Sequence, residues 1–272
     1  LEISRSFFLA ETPKYGSPVS AATALIILNW KKPDLTLKCL SAVKKNTVSK
    51  IHVILVEQEA FSPESKPSIM ESFLERNFSS HEVLLYPKNI GVPKGYNEGI
   101  KAALKKPEIK YISILNNDTE VWAGWLEALI DCAESDPKIG VVGAKAVRYD
   151  GTIPGFGQIM LKDGNAFGKG AGAPEGTPES NVQCELYSVG MACSLIRREL
   201  IEDIGMFDEE FTPCCWEDTE YCFRARSKGW KVVYCPSAKY YHVEGATFKG
   251  SGMEKYYDEH RKLFLSKWGG ML

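Results

Sequence analysis

The 272 residues contain no C-x-x-C pair, no G-x-G-x-x-G, no G-x-x-x-x-G-K-[ST], no G-x-S-x-G and no H-E-x-x-H. These absences argue against a zinc ribbon or thioredoxin-like motif, a dinucleotide-binding turn, a P-loop, a hydrolase nucleophile elbow and a zinc protease. No apolar run approaches the roughly 18–20 residues of a membrane span, and no signal-peptide pattern opens the chain. Charge of either sign is not in excess: 33 Lys+Arg stand against 35 Asp+Glu, a formal −2. The protein therefore lacks the global positive field that drives nonspecific nucleic-acid binding. Internal repeats and low-complexity stretches are also missing.

What is present is globular. A content of 44% hydrophobic, 25% charged and 11% aromatic residues excludes disorder, collagen and coiled coil for the whole chain. The length allows one large or two small domains, with a core that needs no disulfide or metal staple. The cysteines at 39, 132, 184, 193, 214, 215, 222 and 235 read as reduced thiols of a reducing compartment, hence a cytoplasmic protein. The first residue is Leu, which leads us to expect a piece of a larger multidomain chain or a processed one.

The hydrophobic pattern alternates. Residues 22–30 (ATALIILNW), 51–58, 82–87, 110–118 and 139–147 are short apolar runs that predict buried strands, and 34–46, 66–77, 93–105 and 122–135 predict helices between them. That order predicts βαβ units and a mostly parallel sheet with helices on both faces. In such sheets ligands bind beyond the carboxyl ends of the strands, so Asn29, Glu57, Asn89 and 116–118 come first as candidates. Residues 150–181 are rich in Gly and Pro and predict a hairpin or long loop near a site. Strands are expected at 185–198, 230–236 and 238–243, and helices at 199–204, 219–229 and 253–268.

Three segments carry chemistry. In LNNDTEV (115–121) a carboxylate, Asp118, follows an apolar strand between polar neighbours. That suits a hard divalent cation, and it equally suits a turn or helix cap. In CCWEDTEYCFR (214–224), Glu217 and Asp218 stand at a helix start. Acidic residues there are favourable without any function, but beside Trp216 and two cysteines a carboxylate would be poorly solvated and able to act as a base. In NIGVPKGYNEG (89–99), glycines open a helix and either admit a ligand's phosphate or sugar close to the backbone or simply make a tight turn. His242 is a metal-ligand candidate only if the fold brings it to Asp118. His52, His81 and His260 have no partner legible in sequence. Trp216, Tyr187 and Trp122 are candidate sugar platforms, each more simply read as core or rim.

Taken in order, ALIILNWKKPDLTLKCL, NIGVPKGYNEGI, YISILNNDTEV and SVGMACSLIRRELIEDIGMFDEEFTPCCWEDTEYCFRARSKGWKVVYCPSAKYYHVEGAT resemble the family 2 glycosyltransferases, in particular the rhamnosyltransferase-like branch. The resemblance implies a GT-A fold over 22–248, with a nucleotide-sugar-binding half (22–120) and an acceptor-binding half (121–248), between a 1–21 leader and a 249–272 helical tail. It implies inverting transfer of a sugar from a UDP- or dTDP-linked donor to a glycan or lipid-linked glycan hydroxyl in cell-surface polysaccharide synthesis. It further implies Mn²⁺ or Mg²⁺ as cofactor, no nucleic-acid partner and peripheral contact with the inner face of the membrane. Asp118 is then the metal ligand, with His242 beside the metal or diphosphate. Asp218 is the base, with Glu217 as fallback, and Asn29, Asn89, Gly91, Lys94, Gly95, Asn97, Asn116 and Asn117 bind the donor. One departure is VEQEAF (56–61), where Glu57 replaces the usual Asp facing the nucleobase. The alternatives are a noncatalytic nucleotide-sugar or carbohydrate-binding module, and a nucleotidyltransferase. The latter is disfavoured because NWKKPD after the first strand has no glycine.

Overall fold

The computed structural model describes residues 22–59, 69–161, 166–243, 252–253 and 255–272. The 1–21 leader, the first residues of the helix expected at 66–77, and the segment Glu244 to Thr247 lie outside the described residues.

The elements run β1 (Ala22–Trp30), α1 (Pro33–Asn46), β2 (Ile51–Gln58), α2 (Ile69–Asn77), β3 (His81–Tyr86), α3 (Val92–Leu104), β4 (Ile109–Asn116), β5 (Thr119–Val121), α4 (Trp125–Glu134) and β6 (Ile139–Val147). After these come β7 (Gln158–Met160), β8 (Ala166–Gly168), β9 (Cys184–Glu185), β10 (Cys193–Arg197), α5 (Arg198–Ile204), α6 (Glu217–Ser227), β11 (Lys231–His242) and α7 (Lys255–Trp268). A nine-stranded sheet takes the order β3-β2-β1-β4-β10-β6-β11-β5, with β9 also on β11, and β7-β8 form a separate hairpin. The β1–β2, β2–β3, β1–β4 and β6–β11 pairings are parallel. β10 runs antiparallel between β4 and β6.

Alternation along each strand builds two layers. Leu25, Ile27, Val53 and Leu55 face Cys39, Leu40 and Val43 of α1, Met70 and Leu74 of α2, and Trp125 and Leu129 of α4. Ala24, Ile26, Ile54 and Val56 face Tyr96 and Ile100 of α3, Leu200 of α5, and Tyr221 and Ala225 of α6. Each fully buried Leu or Ile contributes about 1.5–3 kcal/mol relative to an exposed one, so the two faces hold the strand ends in fixed register. Pro33 begins α1, where its missing N–H costs nothing.

Four expectations are corrected by long-range pairing. The strand expected at 185–198 is two, β9 on β11 and β10 between β4 and β6. The two strands expected at 230–236 and 238–243 are one, β11, whose register shifts between Cys235 and Lys239. Helix α4 starts at Trp125, because 119–121 pair with β11. Helix α6 starts at Glu217, so Glu217 and Asp218 lie in its first turn rather than before it.

The tail helix α7 docks on the domain. Phe264 is fully buried against Trp216 and Phe223, and His260 Nδ1 donates to the Cys214 carbonyl at 2.8 Å. His260 therefore has a partner that the sequence did not reveal. None of the eight cysteines is joined in a disulfide. Among the described residues no helix is long and apolar enough to cross a membrane.

Candidate active site

A cavity of about 590 Å³ opens at the carboxyl ends of β1 and β4, within the usual range of small-ligand sites. Its wall includes Asn116, Asn117, Asp118, His242, Glu217, Asp218, Asn89, Gln58 and Tyr96, together with Pro154, Gly155, Gly157, Gln158 and Gly168.

The NNDT segment is a tight turn between β4 and β5, not a helix cap. β5 then pairs antiparallel with β11 so that Thr119 lies opposite His242, and Val243 N–H donates to the Asp118 carbonyl at 3.0 Å. This register places His242 Nε2 3.2 Å from Asp118 Oδ1. Among the described residues no group of three or more His, Cys, Asp or Glu side chains comes together as a metal site. A carboxylate with one imidazole suits an ion that takes its other ligands from water and substrate phosphate, as Mg²⁺-type sites commonly do.

Beneath the turn lies a buried polar network. Glu57 Oε1 accepts from Asn29 Nδ2 at 2.6 Å. Asn29 Oδ1 accepts from Thr36 Oγ1 at 2.8 Å and from Asn117 Nδ2 at 3.3 Å. Tyr96 O–H donates to Asn116 Oδ1 at 2.9 Å. Asn29 and Glu57 are thus spent on fixing the NNDT turn and do not line the cavity. Burial holds the Glu57 carboxyl above the ordinary carboxylate range, against the Asn29 hydrogen bond that lowers it. Gln58, its neighbour, takes the wall position.

The glycine loop contributes by packing. Asn89 lines the cavity, and its Oδ1 accepts from Gly91 N–H at 2.8 Å. Gly91 has φ +88°, and a Cβ there would meet Thr212 Cγ2 at 2.7 Å. Val92 N–H donates to the Pro213 carbonyl at 2.7 Å. The loop before α3 is thereby locked to the loop before α6, which brings the two halves of the sequence to one cavity. Gly95 packs α3 onto Leu28 of β1. Asn97 is turned the other way, its Nδ2 donating to the Phe207 carbonyl and its Oδ1 accepting from Phe207 N–H, both at 2.9 Å. Lys94 is exposed. Gly91, Lys94, Gly95 and Asn97 therefore stand outside the cavity wall.

Cys215 and Trp216 have φ of +79° and +72°, a left-handed pair that costs on the order of 1–3 kcal/mol per residue. The kink delivers Glu217 and Asp218 to the cavity as the first turn of α6. Their environments differ. The Asp218 carboxyl is raised by burial but is steadied as an anion by a hydrogen bond from Thr219 N–H at 2.7 Å, while the single Thr219 hydroxyl proton is shared between Gln158 Oε1 at 3.0 Å and Asp218 Oδ1 at 3.2 Å. Glu217 is raised well above the carboxylate range, first by burial and then by the Asp218 charge, and its Oε2 is buried without a hydrogen-bond partner. Two neighbouring carboxyl groups whose proton affinities are pushed apart divide into a base and an acid. Both carboxyls are held above the ordinary range by burial, and of the two Asp218 has the backbone hydrogen bond that favours an anion while Glu217 Oε2 has no partner. The Tyr96 hydroxyl is raised by burial and by the nearby charges of Asp218 and Asp118.

Of the suggested sugar platforms, Trp216 is buried under α7 beside Tyr257 and Phe264. Tyr187 stacks on Phe223, and Trp122 meets Tyr241 at a tilt of 53°. None lines the cavity. The sequence reading missed Gln58, Tyr96 and Gln158. Only the place of Gln58, next to Glu57 at a strand end, offered a signal.

A family model described as "Glycosyltransferase like family 2" matches residues 21–256. The chain belongs to that family. Over 242 residues it is 28% identical to the O-antigen biosynthesis protein RfbC of Myxococcus xanthus, covering 86% of this chain and 18% of that protein. Over 143 residues it is 27% identical to an N-acetylglucosaminyl-diphospho-decaprenol L-rhamnosyltransferase of Mycobacterium tuberculosis, covering 48% of this chain and 46% of that enzyme. The chain thus spans less than half the length of either relative. The fold is GT-A. GalNAc-T7, solved with UDP, GalNAc and Mn²⁺, aligns with TM-score 0.65 at 15% identity, over 87% of this chain and 47% of its own. The mannosyltransferase PcManGT of Pyrobaculum calidifontis, solved with GDP-Man and Mn²⁺, aligns with TM-score 0.58 at 13% identity, over 84% and 58%. Family membership and relatives agree on glycosyl transfer.

Proposed function

We propose that the chain is an inverting glycosyltransferase. It moves a sugar from a UDP- or dTDP-linked donor to a hydroxyl of a glycan or lipid-linked glycan, in the synthesis of a cell-surface polysaccharide. The observation that carries this reading is one cavity lined both by the Asp118–His242 pair and by two carboxyl groups of divided proton affinity. The names of the relatives support the polysaccharide setting.

Asp118 and His242 are the residues that would hold a Mn²⁺ or Mg²⁺ ion. When bound, the ion neutralises the charge that develops on the leaving diphosphate. The Asn29–Thr36–Asn117 network and the Tyr96–Asn116 bond hold the turn that presents Asp118. Asn89 and Gln58 contribute polar groups on the donor side of the wall. Asp218 accepts the proton of the attacking acceptor hydroxyl, a role worth about 10²–10⁴-fold in rate. Glu217, protonated, leaves Asp218 as the single negative charge of the pair. Attack on the anomeric carbon as the diphosphate departs inverts its configuration.

The test is calorimetry of the chain with a panel of nucleoside-diphosphate sugars and Mn²⁺, followed by product analysis with diphospholipid-linked N-acetylglucosamine as acceptor. Metal-dependent donor binding with transfer supports the reading. Binding of donors with no turnover against any glycan acceptor would replace it with a noncatalytic module.

A further inference from the structure

Cys214 and Cys215 have no part in the transfer described above, yet both line the same cavity, immediately before Trp216 and the two carboxyl groups. Each is half-buried, and their sulfurs are 3.7 Å apart. Two thiolates on one tetrahedral ion with metal–sulfur bonds of about 2.3 Å lie about 3.8 Å apart, so the pair already has the spacing of a shared soft centre. The backbone holds it there. Cys215 sits at φ +79°, and His260 Nδ1 donates to the Cys214 carbonyl at 2.8 Å and the Cys215 carbonyl at 3.2 Å. Thiolates suit Zn²⁺ and trivalent arsenic, whereas the Asp118 carboxylate suits a hard ion such as Mg²⁺.

We propose that Cys214 and Cys215 form a two-sulfur site for a soft, thiol-seeking centre such as Zn²⁺ or a trivalent arsenical, and that its occupation shuts off transfer. The inhibitory part rests on the glycosyltransferase reading; the binding part does not. With an arylarsine oxide the step balances without any oxidant. Two arsenic–sulfur bonds form, the arsenic–oxygen bond is lost, and the two thiol protons leave with that oxygen as water. The product places an aryl group beside Asp218, in the space an acceptor needs.

The experiment titrates the whole chain with phenylarsine oxide and reads intact mass and transfer in parallel. One adduct per folded chain is expected, formed at least tenfold more slowly with nucleoside diphosphate and Mn²⁺ bound. Transfer should fall at least tenfold and return with a 1,2-dithiol but not with a monothiol. Cys214→Ser and Cys215→Ser should each lose the adduct. Cys132→Ser, which breaks the other close pair, Cys132 with Cys235 in the core, should keep it. No adduct on the folded wild type, or an adduct that survives Cys214→Ser and disappears in Cys132→Ser, overturns the site. An adduct lost in the Cys214 variant but without effect on transfer overturns the inhibition and keeps the site. An adduct on a chain that transfers no sugar from any donor points to the functional reading instead.

Discussion

Replacing Glu217 by Gln and Asp218 by Asn separates two neighbouring carboxyl groups that look interchangeable in sequence. Asp218 accepts from the Thr219 N–H, which favours its anion, whereas Glu217 has a buried oxygen with no hydrogen-bond partner and a charged neighbour. Gln imitates the protonated Glu217, so E217Q should keep transfer within about threefold near neutral pH. Asn removes the base, so D218N should lose about 10²–10⁴-fold in kcat, which is about 3–5 kcal/mol of barrier. Stability separates them further. Below the ordinary carboxylate range, both the folded and the unfolded wild type are protonated at residue 217, and the Gln substitution changes nothing through titration. As pH rises above that range the unfolded chain ionises while the folded one holds its proton. The wild type then loses about 1.4 kcal/mol per pH unit relative to E217Q, until the folded group also ionises. Urea unfolding of both proteins from pH 4 to 8, beside initial-rate kinetics, reads both effects. A stability difference that shrinks with rising pH, or an E217Q enzyme as impaired as D218N, would refute the division of roles.

Three other outcomes are expected. Asp118→Ala should abolish the stimulation of donor binding by Mn²⁺, read by calorimetry with and without the ion, while the fold survives because the turn is held by Asn116, Asn117 and Thr119. Gly91→Ala should cost about 2–4 kcal/mol in urea unfolding, since it combines a left-handed φ of +88° with a Cβ 2.7 Å from Thr212 Cγ2; a neutral effect would mean the two loops are not locked together. Lys145→Met should cost about 2–3 kcal/mol and raise proteolytic nicking within 150–181, because the buried Lys145 ammonium donates to the Glu175 carbonyl at 2.6 Å, Ser180 Oγ at 3.1 Å and Asn181 Oδ1 at 2.9 Å.

The alternating half of the fold was legible because each βαβ unit writes its own period: β1, α1, β2, β3, α3, β4 and β6 fall within a few residues of their expected bounds. The rest depends on partners far away in sequence. Thr119 to Val121 is too short to show a period and becomes a strand only against Tyr240, Tyr241 and His242. Cys193 to Arg197 gives no sign of running antiparallel between β4 and β6. In the site, Asp118, His242, Glu217 and Asp218 were legible as chemistry at a strand end or helix start, and the β5–β11 register brings the first two together. Asn97 and Glu57 stand outside the cavity wall because a buried carboxamide or carboxylate serves packing as readily as a ligand. Each is the hydrogen-bond partner of one other segment, Phe207 and Asn29 respectively. Gln158 was invisible for the opposite reason. It comes from an aperiodic stretch, and only the fold shows its Oε1 accepting from both Ser188 and Thr219 at 3.0 Å, next to Asp218.

The decisive measurement is the reaction itself. The donor selected by the calorimetric panel is incubated with a glycan acceptor, and nucleoside diphosphate release is followed alongside the anomeric configuration of the product by NMR. Release should require the divalent ion and the acceptor hydroxyl, fall at least a hundredfold in D218N, and yield a product of anomeric configuration opposite to the donor. Release that is independent of metal and acceptor, or a product that keeps the donor's configuration, would contradict an inverting transfer carried by Asp118, His242 and Asp218.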